Sequence, residues 1–240
     1  MNSHLGLSDL NFGKMVRQAL DKAPDAAVHE HSVPDVYVGQ LQDLPLMLPA
    51  SDLGRWWAAD TETARSARPA AKCMVIVLES PHVDEYDATH CYTPWPANGT
   101  TGENIQSRVL ELAELLSVPL EVGLILFNAI PYQCSQGNSG SAKEWKARRD
   151  KIFSHAWKQD ATRSFFRARL KGWVLPGDIV VNCCTAGLKC KPPLRDLVET
   201  EIVSLLGDTV KRVRMHHPSS WIKRKPLSEC LILAEASSKN

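Results

Sequence analysis

The sequence predicts an α/β protein built on a parallel sheet, and three observations carry that expectation. Three short apolar runs and a fourth, β-branched one recur over residues 73–215, helix-length stretches separate them, and most of the runs end in a polar loop that contains proline. Strands buried on both faces read as continuous β-branched runs, and parallel neighbours need a crossover of about a dozen residues or more. The pattern therefore predicts a three-layer αβα domain with a central four-stranded parallel sheet over residues 71–240. Residues 1–70 are expected to form a helical and irregular extension packed on that core.

The elements follow in order. Residues 5–22 have amphipathic helical spacing that Pro24 ends, and residues 24–50 are proline-rich with one strand candidate, "VYVG". "SDLGRWWAAD" opens on an N-cap serine and predicts a short helix. "CMVIVLE" (73–79) is the first core strand, and residues 102–117 place Ile105, Val109, Leu112 and Leu116 on one helical face. "VGLILFN" (122–128) is the second strand, followed by one basic helix over 143–170. "GDIVVNC" (177–183) is the third strand, residues 193–206 form a helix closed by Gly207, and "TVKRVRM" (209–215) is the fourth strand. A last helix is expected over 226–237, with Pro226 at its start.

Composition narrows the class. The chain has 240 residues, 44% of them hydrophobic, which is enough for a substantial core. No apolar run approaches the ~18 residues of a membrane span, and the N-terminus shows no basic segment ahead of an apolar block. Seven cysteines without a C-x-x-C spacing suit the free thiols of a reducing cytoplasm better than a disulfide framework. Neither G-x-x-x-x-G-K-[ST] nor G-x-G-x-x-G occurs, which ranks nucleotide-binding folds last. The net charge of +1 conceals an asymmetry: residues 1–90 carry 7 basic and 13 acidic side chains, whereas 143–171 carry 10 Lys/Arg against 3 Asp/Glu. Residues 211–225 add 6 Lys/Arg and no acid, so the basic surplus gathers in the C-terminal half, as a polyanion partner requires.

Ligand sites on parallel sheets lie at the carboxyl ends of the strands. Leu78-Glu79-Ser80-Pro81-His82 follows the first strand, Asn128 ends the second in "LFNAIPY", and His217-Pro218-Ser219-Ser220-Trp221 follows the fourth. In this order the three segments resemble the motifs of the uracil-DNA glycosylase superfamily: G-Q-D-P-Y or G-E-A-P-G, a base-reading asparagine, and H-P-S-P-L-S. The resemblance covers residues 73–225. It implies an enzyme that flips a nucleotide out of DNA and hydrolyses its N-glycosidic bond.

Roles then follow from the resemblance. His217 is the donor to the departing base, and Glu79 is the carboxylate beside the sugar, with Asp84 or Glu85 as alternatives. Ser80 stands where the classical enzymes carry a water-positioning aspartate. Asn128 pairs with the base edge, and either Tyr92 or Trp95 stacks on it. His82 replaces the tyrosine that excludes bulky C5 substituents, and Leu78 replaces a glycine. Trp221 takes the wedge position, while Ser219, Ser220, Lys223, Arg224 and Lys225 are expected to hold phosphates. The first cysteine is Cys73, too late for the family's iron–sulfur cluster, so neither metal nor cofactor is expected, and a monomer acting on DNA is. The departures favour a hypermodified cytosine, such as glucosylated hydroxymethylcytosine in phage DNA, and hence antiviral defence. Uracil repair and a non-catalytic DNA-binding relative are the alternatives. A rival from another class is a cysteine hydrolase using Cys183 or Cys184 with His217.

Overall fold

The computed structural model describes residues 32–44, 68–86, 95–97, 99–135, 141–223 and 226–232. The expected helices over 5–22 and in "SDLGRWWAAD" lie outside them. Five strands form one sheet: β1 (Val36–Gln40), β2 (Cys73–Leu78), β3 (Gly123–Asn128), β4 (Ile179–Asn182) and β5 (Lys211–Arg214). Their order is β1-β3-β2-β4-β5, with β1 antiparallel to β3 and every other pair parallel. The sheet is therefore mixed and five-stranded, not parallel and four-stranded. The additional strand contains the "VYVG" candidate, so part of the supposed extension belongs to the sheet itself.

Among the described residues there are four α-helices: α1 (Thr100–Leu116), α2 (Ala142–Trp157), α3 (Asp160–Trp173) and α4 (Leu194–Leu206). The single helix expected over 143–170 is two, broken at Lys158 and Gln159. Of the last helix expected over 226–237, residues 226–232 are described: they form a 3-10 turn, Leu227–Cys230, after which Leu231 bridges to Met215, and the remainder lies outside the described residues. Among the described residues no helix is long and apolar enough to cross a membrane.

Alternation along β2 sorts the core into two layers. Cys73, Val75 and Val77 face a cluster with Ile152, Phe153, Phe166, Leu170, Val198 and Ile202 from α2, α3 and α4. Met74, Ile76 and Leu78 face Ile105, Val109 and Leu112 of α1. Connection handedness explains the split. The chain leaves β2 for β3 on one side, then crosses back to β4 and on to β5 on the other. Right-handed crossovers then put α1 on one face and α2–α4 on the opposite one. Connections diverge at the carboxyl ends of β2 and β4, and the crevice between such strands is where ligands bind in open α/β sheets.

Candidate functional site

A cavity of about 580 Å³ opens at that switch point, and all four loops that follow the parallel strands line it. Leu78, Glu79, Ser80 and His82 come from the loop after β2, Ser135 from the segment after β3, and Thr185–Leu188 from the loop after β4. His216, His217, Ser219 and Ser220 follow β5, while Thr100 and Thr101 bring the start of α1 to the rim. Helix α2 starts on a capping box, in which Ser141 Oγ accepts from the Glu144 N–H and Glu144 Oε2 accepts from the Ser141 N–H at 2.9 Å. That start aims Trp145, Lys146 and Arg149 at the cavity, with Lys146 Nζ 5.4 Å from the Trp145 ring centre.

Glu79 is buried, and both of its oxygens are engaged. Oε1 pairs with Arg149 Nε at 2.8 Å, and Oε2 accepts from the Thr185 N–H at 3.2 Å and from the Thr185 hydroxyl. Arg149 also holds Asp150 at 2.6 Å, and Asp150 accepts the Leu188 N–H. Burial works against the Arg149 charge, but Glu79 and Asp150 outweigh it and hold the guanidinium protonated. This chain of ion pairs clamps the loop after β4 between β2 and α2. The loop turns at Gly187 (φ +77°), where a Cβ would come 2.6 Å from Cys190 Sγ, so only glycine fits.

His217 is half-buried, and its ring is fixed by its own loop. Ser219 donates its backbone N–H to His217 Nδ1 at 3.3 Å, and the Ser219 hydroxyl lies 2.9 Å from the same nitrogen. A backbone N–H can only donate, so Nδ1 is the acceptor and the proton of the neutral ring sits on Nε2. Burial pushes the imidazolium pKa down to about 4. Glu79 opposes that shift, and Arg149 and His82 reinforce it. At neutral pH the cavity is therefore offered a neutral N–H donor. Ser220 donates its hydroxyl to His217 O at 2.7 Å, so both serine hydroxyls, expected on phosphates, are used within the loop.

Trp221 corrects the sequence expectation. It is wholly buried in the α1-side core, its Nε1–H donates to His216 O at 2.8 Å, and its carbonyl accepts from Arg108 Nη1 at 2.5 Å. A side chain so enclosed is an anchor for the histidine loop, and it has no route into a DNA stack. The 3-10 turn Pro218–Lys223 instead exposes Ile222, at 60% the most exposed large hydrophobic side chain among the described residues. Lys223 is exposed beside it.

The remaining candidates divide. Asn128 is 1% exposed and does not line the cavity. It sits opposite Leu78 in the sheet, and its amide nitrogen and oxygen have no hydrogen-bond partner among the described residues. Ser80 Oγ is likewise enclosed and unpartnered. Trp95 packs against the α1-side core and is not part of the wall, and Tyr92, Arg224 and Lys225 lie outside the described residues. Cys183 and Cys184 are fully buried and burial drives both thiols far up, so neither supplies a thiolate for hydrolysis. Among the described residues no three His, Cys, Asp or Glu side chains gather as a metal site. Trp145, Lys146, Arg149, Thr185 and Arg195 are wall residues that sequence reading passed over. The sequence signal for the first three was the basic block that begins at residue 143.

Comparison of the chain with protein-family models, with curated proteins and with solved structures finds no match.

Proposed function

We propose that the protein is a DNA glycosylase of the uracil-DNA glycosylase type, which extrudes a modified pyrimidine and hydrolyses its N-glycosidic bond. The observation that carries the reading is His217, a neutral imidazole in the cavity wall whose Nδ1 is taken by its own loop, which leaves Nε2–H as its donor. When the C1′–N bond breaks, its electron pair leaves with the base and charge gathers on the base oxygen. A neutral donor fixed in advance at that oxygen stabilises the charge as it develops. Water then adds to C1′, its proton is lost, and an abasic sugar remains.

The other residues take roles that fit this step. Glu79 is tied to Arg149 and Thr185, so in this reading it is a fixed negative charge that stabilises the sugar cation, not a base that accepts the water proton. The enclosed Ser80 hydroxyl holds the water. Asn128, the base reader by resemblance, lies behind the cavity wall with an unpartnered amide whose donor and acceptor would complement a pyrimidine edge once the wall yields to the base. Ile222 replaces Trp221 as the apolar side chain able to enter the vacated stack, and Trp145, flanked by Lys146, offers a stacking face at the mouth. A cavity of about 580 Å³ falls in the range that holds drug-sized ligands, enough for an extruded nucleotide, and it is the replacement of the family's tyrosine by His82 that favours a base with a large substituent, such as a glucosylated hydroxymethylcytosine of phage DNA, over bare uracil.

A second reading has its own support. With Glu79 fully engaged and serine at the aspartate position, the same site suits a DNA-binding module without chemistry. The deciding experiment offers oligonucleotides and phage DNA containing uracil, hydroxymethylcytosine or glucosylated hydroxymethylcytosine, then cleaves abasic sites with alkali. Abasic sites confined to glucosylated DNA, and lost in His217→Ala and Asn128→Ala, establish the proposal. Sites at uracil make it a repair enzyme, and binding without abasic sites on any substrate leaves the module.

A further inference from the structure

Arg195 is the second residue of α4 and lines the cavity, yet it is only 8% exposed. Its side chain makes no ion pair or hydrogen bond with any described residue, and its enclosed Nε–H is unpartnered. The nearby cation Arg214 is itself paired with Asp196. The other guanidinium in the wall, Arg149, is committed to Glu79 and Asp150. A buried, unpaired guanidinium is unfavourable in an empty protein, and burial together with Arg214 weakens its hold on its proton. Such a group persists where something else completes it.

We propose that Arg195 forms an anion subsite in the cavity wall and that its ligand is a phosphate. The guanidinium fork matches phosphate oxygens in pairs, and few ligands bring enough charge to satisfy a buried arginine. Lys146 and the neutral His217 line the same cavity and leave the anion unopposed on their side. Of the carboxylates near it, Glu79 and Asp150 share the single charge of Arg149, Asp196 pairs with Arg214, Glu199 one turn further along α4 accepts from Asn182 Nδ2 at 2.7 Å, and Glu85 in the same wall accepts from the His82 N–H. The phosphate has two possible sources: the backbone beside an extruded nucleotide, which rests on the glycosylase reading, or a free phosphate ester entering the cavity, which does not.

The test compares the full chain with Arg195→Met and Arg195→Lys. Thermal unfolding is followed at constant ionic strength while inorganic phosphate replaces chloride. The expected result has two parts. Phosphate raises the wild-type melting temperature, and Arg195→Met starts higher than wild type but no longer responds. Arg195→Lys, which keeps the charge and loses the fork, responds with roughly tenfold weaker apparent affinity. A lower melting temperature for Arg195→Met, or a phosphate response unchanged in both variants, overturns the subsite.

Duplexes with a neutral methylphosphonate at successive linkages around the target identify the source. If one linkage weakens wild-type binding about tenfold and leaves Arg195→Met unaffected, the phosphate is the DNA backbone. If no linkage matters while inorganic phosphate still protects through Arg195, the ligand is a free phosphate ester. Absence of abasic product with phosphate protection intact removes the glycosylase reading alone. Abasic product with an Arg195-independent phosphate response removes the subsite alone.

Discussion

Replacing Trp221 with phenylalanine separates an anchor from a wedge. The indole N–H donates to His216 O at 2.8 Å inside a fully buried environment. Phenylalanine keeps the aromatic packing but leaves that carbonyl without its donor, at about 1–3 kcal/mol. The smaller ring leaves a void that adds about 1 kcal/mol. A total near 3 kcal/mol in a chain of 240 residues corresponds to a fall in melting temperature of roughly 6–12 °C. The assay is guanidinium unfolding with the slope fitted freely, because a midpoint shift at constant slope is a change in stability.

The matching perturbation is Ile222→Ala. Ile222 is 60% exposed, so its removal should move stability by no more than about 0.5 kcal/mol. Well below the melting temperature, Trp221→Phe should bind duplex DNA within a few-fold of wild type, whereas Ile222→Ala should lose duplex binding and retain single-strand binding. A Trp221→Phe variant with the wild-type midpoint and lost duplex affinity would refute the reasoning.

Four further outcomes follow from the same geometry. His217 has a folded pKa of about 4 against an ordinary value of 6.5, so the unfolded chain takes up a proton first as pH falls. Its contribution to stability is complete above pH 6.5 and declines as pH falls toward 4, and the acid limb of activity due to His217 should lie near 4; an inflection at 6–7 that His217→Gln abolishes would contradict this. Glu79→Gln leaves the buried Arg149 with Asp150 as its one charged partner and should cost about 1–3 kcal/mol in chemical unfolding, whereas Arg149→Met, which strands both buried carboxylates, should cost more; the reverse order would refute the ion-pair chain. Gly187→Ala must place a Cβ against Cys190 Sγ at positive φ and should cost about 1–3 kcal/mol, read as a lower melting temperature. Asn128→Leu removes two unpartnered amide atoms from the core, so it should leave stability equal or raised while abolishing base excision; a destabilised variant with intact activity would remove Asn128 from the site.

β2, β3 and β4 are legible because burial on both faces forces apolar runs, β5 at the sheet edge shows only as valines among basic residues, and their order along the chain places Glu79, Ser80, His82 and His217 at one end of the sheet. β1 is harder to read. It lies at an edge, its pairing with β3 shifts register between Tyr37 and Gly39, and no crossover helix announces it. The break between α2 and α3 falls at Lys158 and Gln159, where neither proline nor glycine marks it, so tertiary packing makes the turn. Trp221 misleads because its neighbours in sequence are polar. Its burial comes from the 3-10 turn, which Asn104 and Arg108 of α1 hold through Pro218 O and Trp221 O. Arg195 is illegible for the opposite reason: nothing in sequence distinguishes a buried, unpaired arginine from a solvated one.

The two ends of the sheet make different use of polar groups, and the difference bears on function. At the amino ends, the buried Asp178 accepts from the Cys73 N–H at 2.8 Å, the Leu175 N–H at 2.7 Å and Arg68 Nη1 at 2.5 Å. There the fold completes a buried charge from its own atoms. At the carboxyl ends Ser80 Oγ, Ser135 Oγ and Arg195 Nε are enclosed in the cavity wall without partners, and the Asn128 amide lies unpartnered one strand away. Unpaired atoms occur elsewhere, on Gln106, Thr162, Arg169, Arg212 and Arg214, outside the cavity wall. Each such group lowers stability by about 1–3 kcal/mol, a burden that apolar substitution at the same positions would remove. A chain able to satisfy Asp178 so fully has the means to satisfy these groups as well. Their concentration at the switch point gives a polar ligand several donors and acceptors to bind in one place.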